Sequence, residues 1–531
     1  MDDRAFSAAF SLKYLDLSRN RIAVVKPRTF ELLRLTTLLL SRNEIKQLHP
    51  MCIAHINDMR RIDLSFNRIR ILPSRSIYNV TSIDRFTLAH NRLEHLEHEA
   101  FYEVRRIGRF DLSHNRLRLF ACMIFSSLAR VDELDLSHNQ ISSLELSCLK
   151  PSLVRLDLSH NMLQTLEEDL LEGAHSLTTL SLAYNQLLSV NAHALSAVPS
   201  VSNIDLSHNH LRLIRKGTFG KQRSISMLDL SHNALVSLHP DVLGINNVHS
   251  LRLAGNQLVS IPLEGLRSVS QSLESLDLSE NYITSIDAIQ FASLPNLRTL
   301  TLAGNRIQSI EEELFAGLPR LEHLDLSNNP FSSWHPNAFK GLSESILSIS
   351  LASTGLFSLP RFDAPELESV DFSGNKIREV DPAQFEALPR LRSLNLSSNG
   401  ITTLPDRVFA NLSTSLERLD LSANPLHAVT DQHLADLTRL KGLFLNNMPS
   451  LYALSTAGNF GKLTSLRELE MTAIPEAITN YNLTAILFAL PPLERLAVQI
   501  NDRVLTDQLR SADARSLRSL TISGGSLSEV Y

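Results

Sequence analysis

The stretch Leu134-Asp135-Leu136-Ser137-His138-Asn139, with Val131 three residues ahead of it, decides the fold. Val131, Leu134 and Leu136 are apolar, and Asp135 and Ser137 alternate with them, which is the two-residue period of a half-buried strand. Asn139 closes the phrase. A carboxamide both donates and accepts hydrogen bonds, so it suits the bend after the strand, where buried backbone groups need partners.

The chain rewrites this phrase throughout. Its closing Asn recurs at Asn20, Asn43, Asn67, Asn91, Asn115, Asn139, Asn161, Asn185, Asn209, Asn233, Asn256, Asn281, Asn305, Asn329, Asn375, Asn399 and Asn424, mostly 24 residues apart, with Thr354 standing in between Asn329 and Asn375. Beyond Asn424 the apolar skeleton continues through Leu443, Leu469, Leu496 and Leu520, with only Asn501 keeping the closing amide. About 22 turns are expected. Residues 1–10 read as the back half of a turn, 11–435 as a regular array and 436–531 as degenerate turns. The chain starts and stops inside a turn, so a piece of a longer protein is expected.

A second marker follows each Asn by about ten residues: Phe30, Phe101, Phe125, Phe219, Phe291, Phe315, Phe339, Phe385 and Phe409, with Ile, Leu or Cys elsewhere. These rings should stack from turn to turn as a second spine. The segments after them are too short for a standard helix and predict turns or short 3₁₀ pieces. One turn cannot bury its own leucines, so the turns must stack into a continuous core. The expected fold is an α/β-class but β-rich solenoid, a curved horseshoe with a parallel sheet on its concave side. Two breaks in rhythm are candidate kinks or binding loops: Asn329 to Asn375, which holds the sole Trp, Trp334, and Met448 to Asn501, where 482–490 predicts a short helix.

The net charge of -5 is small for 531 residues, and the whole chain gives no electrostatic case for nucleic acid. No apolar run is long enough to span a bilayer: the best stretch, 485–490, falls far short of the ~20 residues needed. Met1 is followed by Asp2, Asp3 and Arg4 rather than a basic and then apolar leader. Three cysteines make no disulfide framework. Cys52 and Cys148 share a turn position and read as core fillers, too far apart to bridge. Cys122 and Cys148 fall in neighbouring turns, where a disulfide is one option.

Outward strand positions define the concave face. One row holds Asp16, Asp63, Asp111, Asp135, Asp157, Asp205, Asp229, Asp277, Asp325, Asp371 and Asp420. Two residues earlier stand Arg61, Arg85, Arg109, Arg155 and Arg418, placed to offset several of these charges. The position before Asn holds His90, His114, His138, His160, His208 and His232. Such a row reads as ordinary polar turn residues or as a pH-sensitive surface, since imidazole charges between pH 5 and 8. Adjacent imidazoles are potential metal ligands, but no turn offers a ligand cluster, and no metal is expected. Ser, His and Asp abound because one phrase repeats. No GxSxG, GxxxxGK[ST], HExxH or CxxC motif occurs, so neither catalysis nor a cofactor is expected. The partner-binding candidates are Arg61, Arg85, Arg109, Asp111, His114, Asp135, His138, Arg155, Asp157 and His160. Sequons fall at Asn79, Asn395, Asn411 and Asn482. Asn79 and Asn411 share one offset on the back, and Asn395 replaces a concave Asp.

The 24-residue turn with its Phe spine resembles the animal extracellular leucine-rich-repeat family. Within it, the Ser-x-Ser joins at Ser270-Gln271-Ser272-Leu273, Ser343-Glu344-Ser345-Ile346 and Ser413-Thr414-Ser415-Leu416, and the degenerate end, resemble the chaoptin-type branch. That resemblance implies a non-catalytic, protein-binding ectodomain on the outer face of the plasma membrane. It implies adhesion by contact with another copy or another surface protein, with the membrane reached only through an anchor beyond this chain. The alternative it leaves open is the ligand-sensing ectodomain of a Toll-like or developmental receptor.

Overall fold

A computed structural model describes residues 6, 9, 11–30, 33–121, 128–146, 151–167, 170–191, 194–195, 198, 201–219, 224–240, 242–244, 247–335, 337–342, 344–434, 436–454, 463–474, 493–499 and 516–523. The chain forms two compact units, Met1–Leu258 with Pro262–Leu273, and Val259–Ile261 with Glu274–Tyr531. Each is a solenoid of parallel strands, one long-sheet strand per turn, with a second two-residue strand in several turns that pairs with its neighbour's. In the first unit the long-sheet strands run from Tyr14–Asp16 to Asn247–Arg252, and in the second from Ser275–Asp277 to Ser519–Ser523. The register keeps the phrase aligned: Leu134 lies beside Phe110 and Leu156, and Asp135 beside Asp111 and Asp157.

The inward positions of the phrase form the core. Val131, Leu134 and Leu136 are buried, as are their equivalents in most turns of both units, the first and last described turns excepted. The rings of the Phe spine meet where successive turns carry them, stacked with centroids 5.7 Å apart for Phe291 and Phe315 and tilted at 6.0 Å for Phe385 and Phe409. Phe125 lies outside the described residues. Behind the spine the backbone makes turns and a few one-turn helices, such as Ala288–Phe291 and the 3₁₀ segment Pro382–Phe385. Two turns depart from this expectation. Ile53–Asp63 and Ile77–Thr87 stay extended for eleven residues each. Both put Ile where the spine carries Phe, and β-branched residues at Ile53, Ile56, Ile77, Val80 and Ile83 favour extended backbone.

The closing Asn does more than end its own strand. Asn139 donates to the carbonyls of Leu136 and Ser137, at 3.0 and 3.1 Å, and also to Leu112 of the preceding turn at 3.0 Å. Its oxygen accepts from the N–H of Leu117, again in the preceding turn, at 3.1 Å. One amide thus serves four backbone groups, two of them in another turn. At the rhythm break, the Thr354 hydroxyl reaches its own Leu351 carbonyl at 2.8 Å. Asn375 covers the deficit, accepting from the N–H groups of Thr354 and Leu356 and from the Thr354 hydroxyl.

Cys52 is a core filler. It is fully buried, its thiol lies 3.4 Å from the Ser76 carbonyl, and burial pushes its pKa up to about 12. Cys122, Cys148, Asn482 and the helix expected at 482–490 lie outside the described residues.

Candidate functional site

Three outward rows define the sheet face of the first unit. The carboxylate row is structural in its local bonding. One oxygen of Asp135 accepts the Ser137 N–H at 3.0 Å and the Ser137 hydroxyl at 2.7 Å, and Asp63, Asp111, Asp157, Asp205 and Asp229 repeat the arrangement. Burial raises the Asp135 pKa, the Asp111 and Asp157 carboxylates raise it further, and the Ser137 bonds oppose them.

The arginine row offsets the carboxylate row only at Arg61 among the described residues. Arg61 pairs with Asp63 at 2.8 Å, but Arg109 turns to Glu133 at 3.9 Å. Arg418, in the second unit, reaches Glu468 at 3.3 Å and lies 3.9 Å over the Phe444 ring. Arg85 and Arg155 form no ion pair among the described residues. Long, flexible arginines take whichever acid the neighbouring turns offer. Arg109 and Arg155 flank Glu133 across adjacent strands and line one shallow depression with Asp135 and Asp157. Arg61, Arg85, Asp111 and His114 line another.

The histidine row is longer than its histidines. Phe66, His90, His114, His138, His160, Tyr184, His208 and His232 stack face to face in one file. Successive centroids are 3.9 to 4.2 Å apart and planes tilt by no more than 15°. Phe66 and Tyr184 fill the places that a search for histidine alone passes over; their shared position, one before the Asn, was the available signal. The file continues to the Arg42 guanidinium, 4.5 Å over Phe66. At the other end the His232 ring lies over Gly255, where a Cβ would collide with it.

Backbone geometry explains the file. Every residue in it has positive φ, from 52° to 55°. This left-handed conformation costs a non-Gly residue about 1 kcal/mol or more. A stacked ring contact returns about 0.5–1.5 kcal/mol, so the file stabilises its own strained slots. The repeated φ aims each side chain the same way, and the strand spacing sets the rings near van der Waals contact. Parallel planes also keep neighbouring lone pairs side by side rather than convergent on one ion. Burial and the neighbouring imidazole hold His114, His138, His160 and His208 below the ordinary histidine pKa, with nearby Asp side chains opposing the shift at each. The edges of the rings face solvent; Phe66 is 42% and Tyr184 46% exposed.

Of the sequons, Asn79 is exposed with φ of 48° and lies 3.1 Å from the His55 ring nitrogen. Asn411 is exposed and donates to the Pro382 carbonyl at 3.1 Å. Asn395 is half-buried, and its oxygen accepts the Ser397 N–H at 3.0 Å.

A leucine rich repeat model matches residues 10–69, 81–141, 151–211, 199–245, 246–307, 295–355 and 365–426. The chain belongs to the leucine-rich-repeat family. Among curated relatives it is similar to chaoptin of Tribolium castaneum, 28% identical over 36% of this chain and 24% of that protein. Chaoptin of Drosophila melanogaster is 27% identical over 46% of this chain and 17% of that protein, and mouse podocan 27% over 35% and 26%. The matches span about a quarter or less of these relatives' lengths. Among solved structures, the Drosophila Toll–Spatzle complex aligns over 92% of this chain and 78% of that one, at 19% identity and a TM-score of 0.59. YopM of Yersinia enterocolitica aligns over 92% and 91%, at 21% identity and a TM-score of 0.57. These structural likenesses show the fold. Leucine-rich-repeat solenoids are typically non-catalytic interaction scaffolds, consistent with a protein-binding ectodomain. Among the described residues no helix is long and apolar enough to cross a membrane.

Proposed function

We propose that the sheet face of the first unit docks a protein partner in adhesion or recognition at the outer face of the plasma membrane. The carrying observation is the solvent-edged file of eight rings beside an arginine row in which Arg85 and Arg155 stay without an acid among the described residues. A flat, pre-ordered surface loses little side-chain entropy on binding. His114, His138 and His160 supply the ring edges, and Arg61, Arg85, Arg109 and Arg155 the cations. Asp111, Asp135 and Asp157 supply acceptors between them. The likeness to chaoptin supports homophilic contact, with the membrane reached through an anchor outside this chain, and neither nucleic acid nor cofactor as partner. Asn79 and Asn411 are the favoured glycan sites, since both are exposed. Protonation of the file would alter partner binding.

The test is a cell-mixing assay with the chain displayed on non-adherent cells. Clusters restricted to expressing cells support homophilic adhesion, and their loss in Arg85→Glu/Arg155→Glu places the contact on this face. Mixed clusters point to another surface protein. The likeness to Toll in its complex with Spatzle favours a second reading, a receptor for a soluble ligand, which the absence of any clustering would support.

A further inference from the structure

The first unit holds 31 Lys and Arg against 26 Asp and Glu, and the second 20 against 30. The excess of cations is not spread evenly. It concentrates just past the closing Asn of the early turns, at Arg21, Lys46, Arg70, Arg92, Arg116 and Arg118, all exposed. Turn-to-turn backbone bonds pin these positions in line. The Arg92 N–H donates to the Ile69 carbonyl at 2.9 Å, the Arg116 N–H to Leu93 at 2.8 Å, and the Ser142 N–H to Arg118 at 3.0 Å. Cations therefore recur at about the 4.8 Å spacing of the turns. Only Glu44 and Glu94 stand among them, and Glu44 is already engaged by Arg68 at 3.3 Å. None of the six named cations forms an ion pair among the described residues. Arg116 and Arg118 line one depression with Glu94, His95 and Gln140.

We infer that this basic strip binds a linear sulfated polysaccharide. Like charges held this close repel, and a polyanion with a charge on every unit relieves them by releasing bound counterions along its length. The strip's chemistry disfavours the other polyanions. Single-stranded nucleic acid binds through bases stacked on open aromatic faces, and the adjacent file has closed its faces against one another. An acidic peptide added as a strand needs free backbone groups, and the backbone of the strip is already engaged from turn to turn. Guanidinium groups meeting sulfate oxygens in paired hydrogen bonds need neither. The inference is independent of the adhesive reading, because the strip lies beyond the strand ends and uses none of the residues proposed for the partner.

The experiment compares retention of the full chain on immobilised heparin and on a sulfopropyl matrix of matched charge density. The expected result is elution from heparin at clearly higher salt. Arg92→Glu/Arg116→Glu/Arg118→Glu should weaken heparin binding by about tenfold or more at fixed salt and flatten its salt dependence. Arg306→Glu/Lys376→Glu/Arg378→Glu in the second unit makes the same charge change and should leave retention nearly unaltered. Circular dichroism checks the fold, and the neutral Arg92→Gln/Arg116→Gln pair serves if the triple variant misfolds. Equal elution from both matrices overturns the inference, as does an equal loss in the second-unit variant. Polyglutamate or single-stranded RNA competing better than heparin fragments at equal charge would also overturn it.

Discussion

The two units share a backbone and differ in what they hang on it. Both place the residue before the closing Asn at positive φ, near 55° for non-Gly residues. In the first unit that slot holds Arg19 and Arg42, then Phe66, six histidines and Tyr184 in unbroken succession, then Gly255. In the second it holds Glu280, Gly304, Asn328, Ser353, Gly374, Ser398, Ala423, Asn447 and Ala473. Glu280 apart, the second set spares strain with Gly and Asn or fills the slot with the small side chains of Ser and Ala. The first set puts a bulky ring in a disfavoured conformation on eight consecutive turns and recovers stability by stacking them. The fold therefore needs the conformation and is indifferent to the side chain, and the rings are a feature of the surface rather than of the scaffold. The outward charges differ in the same way, basic strip against acidic excess.

The comparison makes testable demands. The scaffold should respond alike in both units. Phe101→Ala and Phe315→Ala each empty a fully buried ring site and should cost about 3–5 kcal/mol in chemical denaturation. Asn139→Ala and Asn399→Ala each strip partners from several backbone groups and should cost about 3 kcal/mol, with hydrogen exchange faster in the mutated turn and the one before it. A large difference between the units in either pair would mean that the backbones are not equivalent. The slot should respond unequally. His138→Ala removes two ring contacts and should cost about 1–2 kcal/mol, whereas Ser398→Ala should stay within about 0.5 kcal/mol.

Acidification should give the smallest effect. The folded pKa values of His114, His138, His160 and His208 lie below the ordinary value, so the unfolded chain binds more protons in between. The stability they support is complete above about pH 6.5 and is lost as pH falls through the lower folded values. Amide exchange, corrected for its intrinsic pH dependence, should show the first unit loosening between pH 7.5 and 5.5. The second unit should change less, with His433 the one histidine there held below its ordinary value among the described residues. Equal loosening of both would separate the effect from the ring file.

Much of the scaffold was legible because it depends on residue type at a fixed period. The apolar triplet gave the strands, and the amide gave the bend. The donors and acceptors of Asn left no substitute as complete, and Thr354 shows how a lesser residue shifts the work to Asn375. Side-chain destinations were less legible. Arg109 chose Glu133 over the carboxylate row because several turns lie within a guanidinium's reach, and a one-dimensional pattern does not rank them. The ring file was legible as six histidines. Its continuity through Phe66 and Tyr184 required reading the position rather than the residue, and its face-to-face contact required the backbone angle. The extended turns at Ile53–Asp63 and Ile77–Thr87 follow from Ile in the spine, a substitution visible in the sequence and read there only as a change of filler.

The amide of each turn reaches back to the turn before it. Asn67 adds a second bond to the Leu40 carbonyl, which Asn43 already serves, and accepts the Ile45 N–H, so that N–H waits for a residue more than twenty positions downstream. During synthesis the newest turn is always incomplete: its strand exists before the amide that seals its bend has been made. Growth at the ribosome therefore proceeds as a zipper with one open tooth. The solenoid has a direction of assembly written into its hydrogen bonds, and a stall in translation would leave the same backbone N–H waiting wherever it fell.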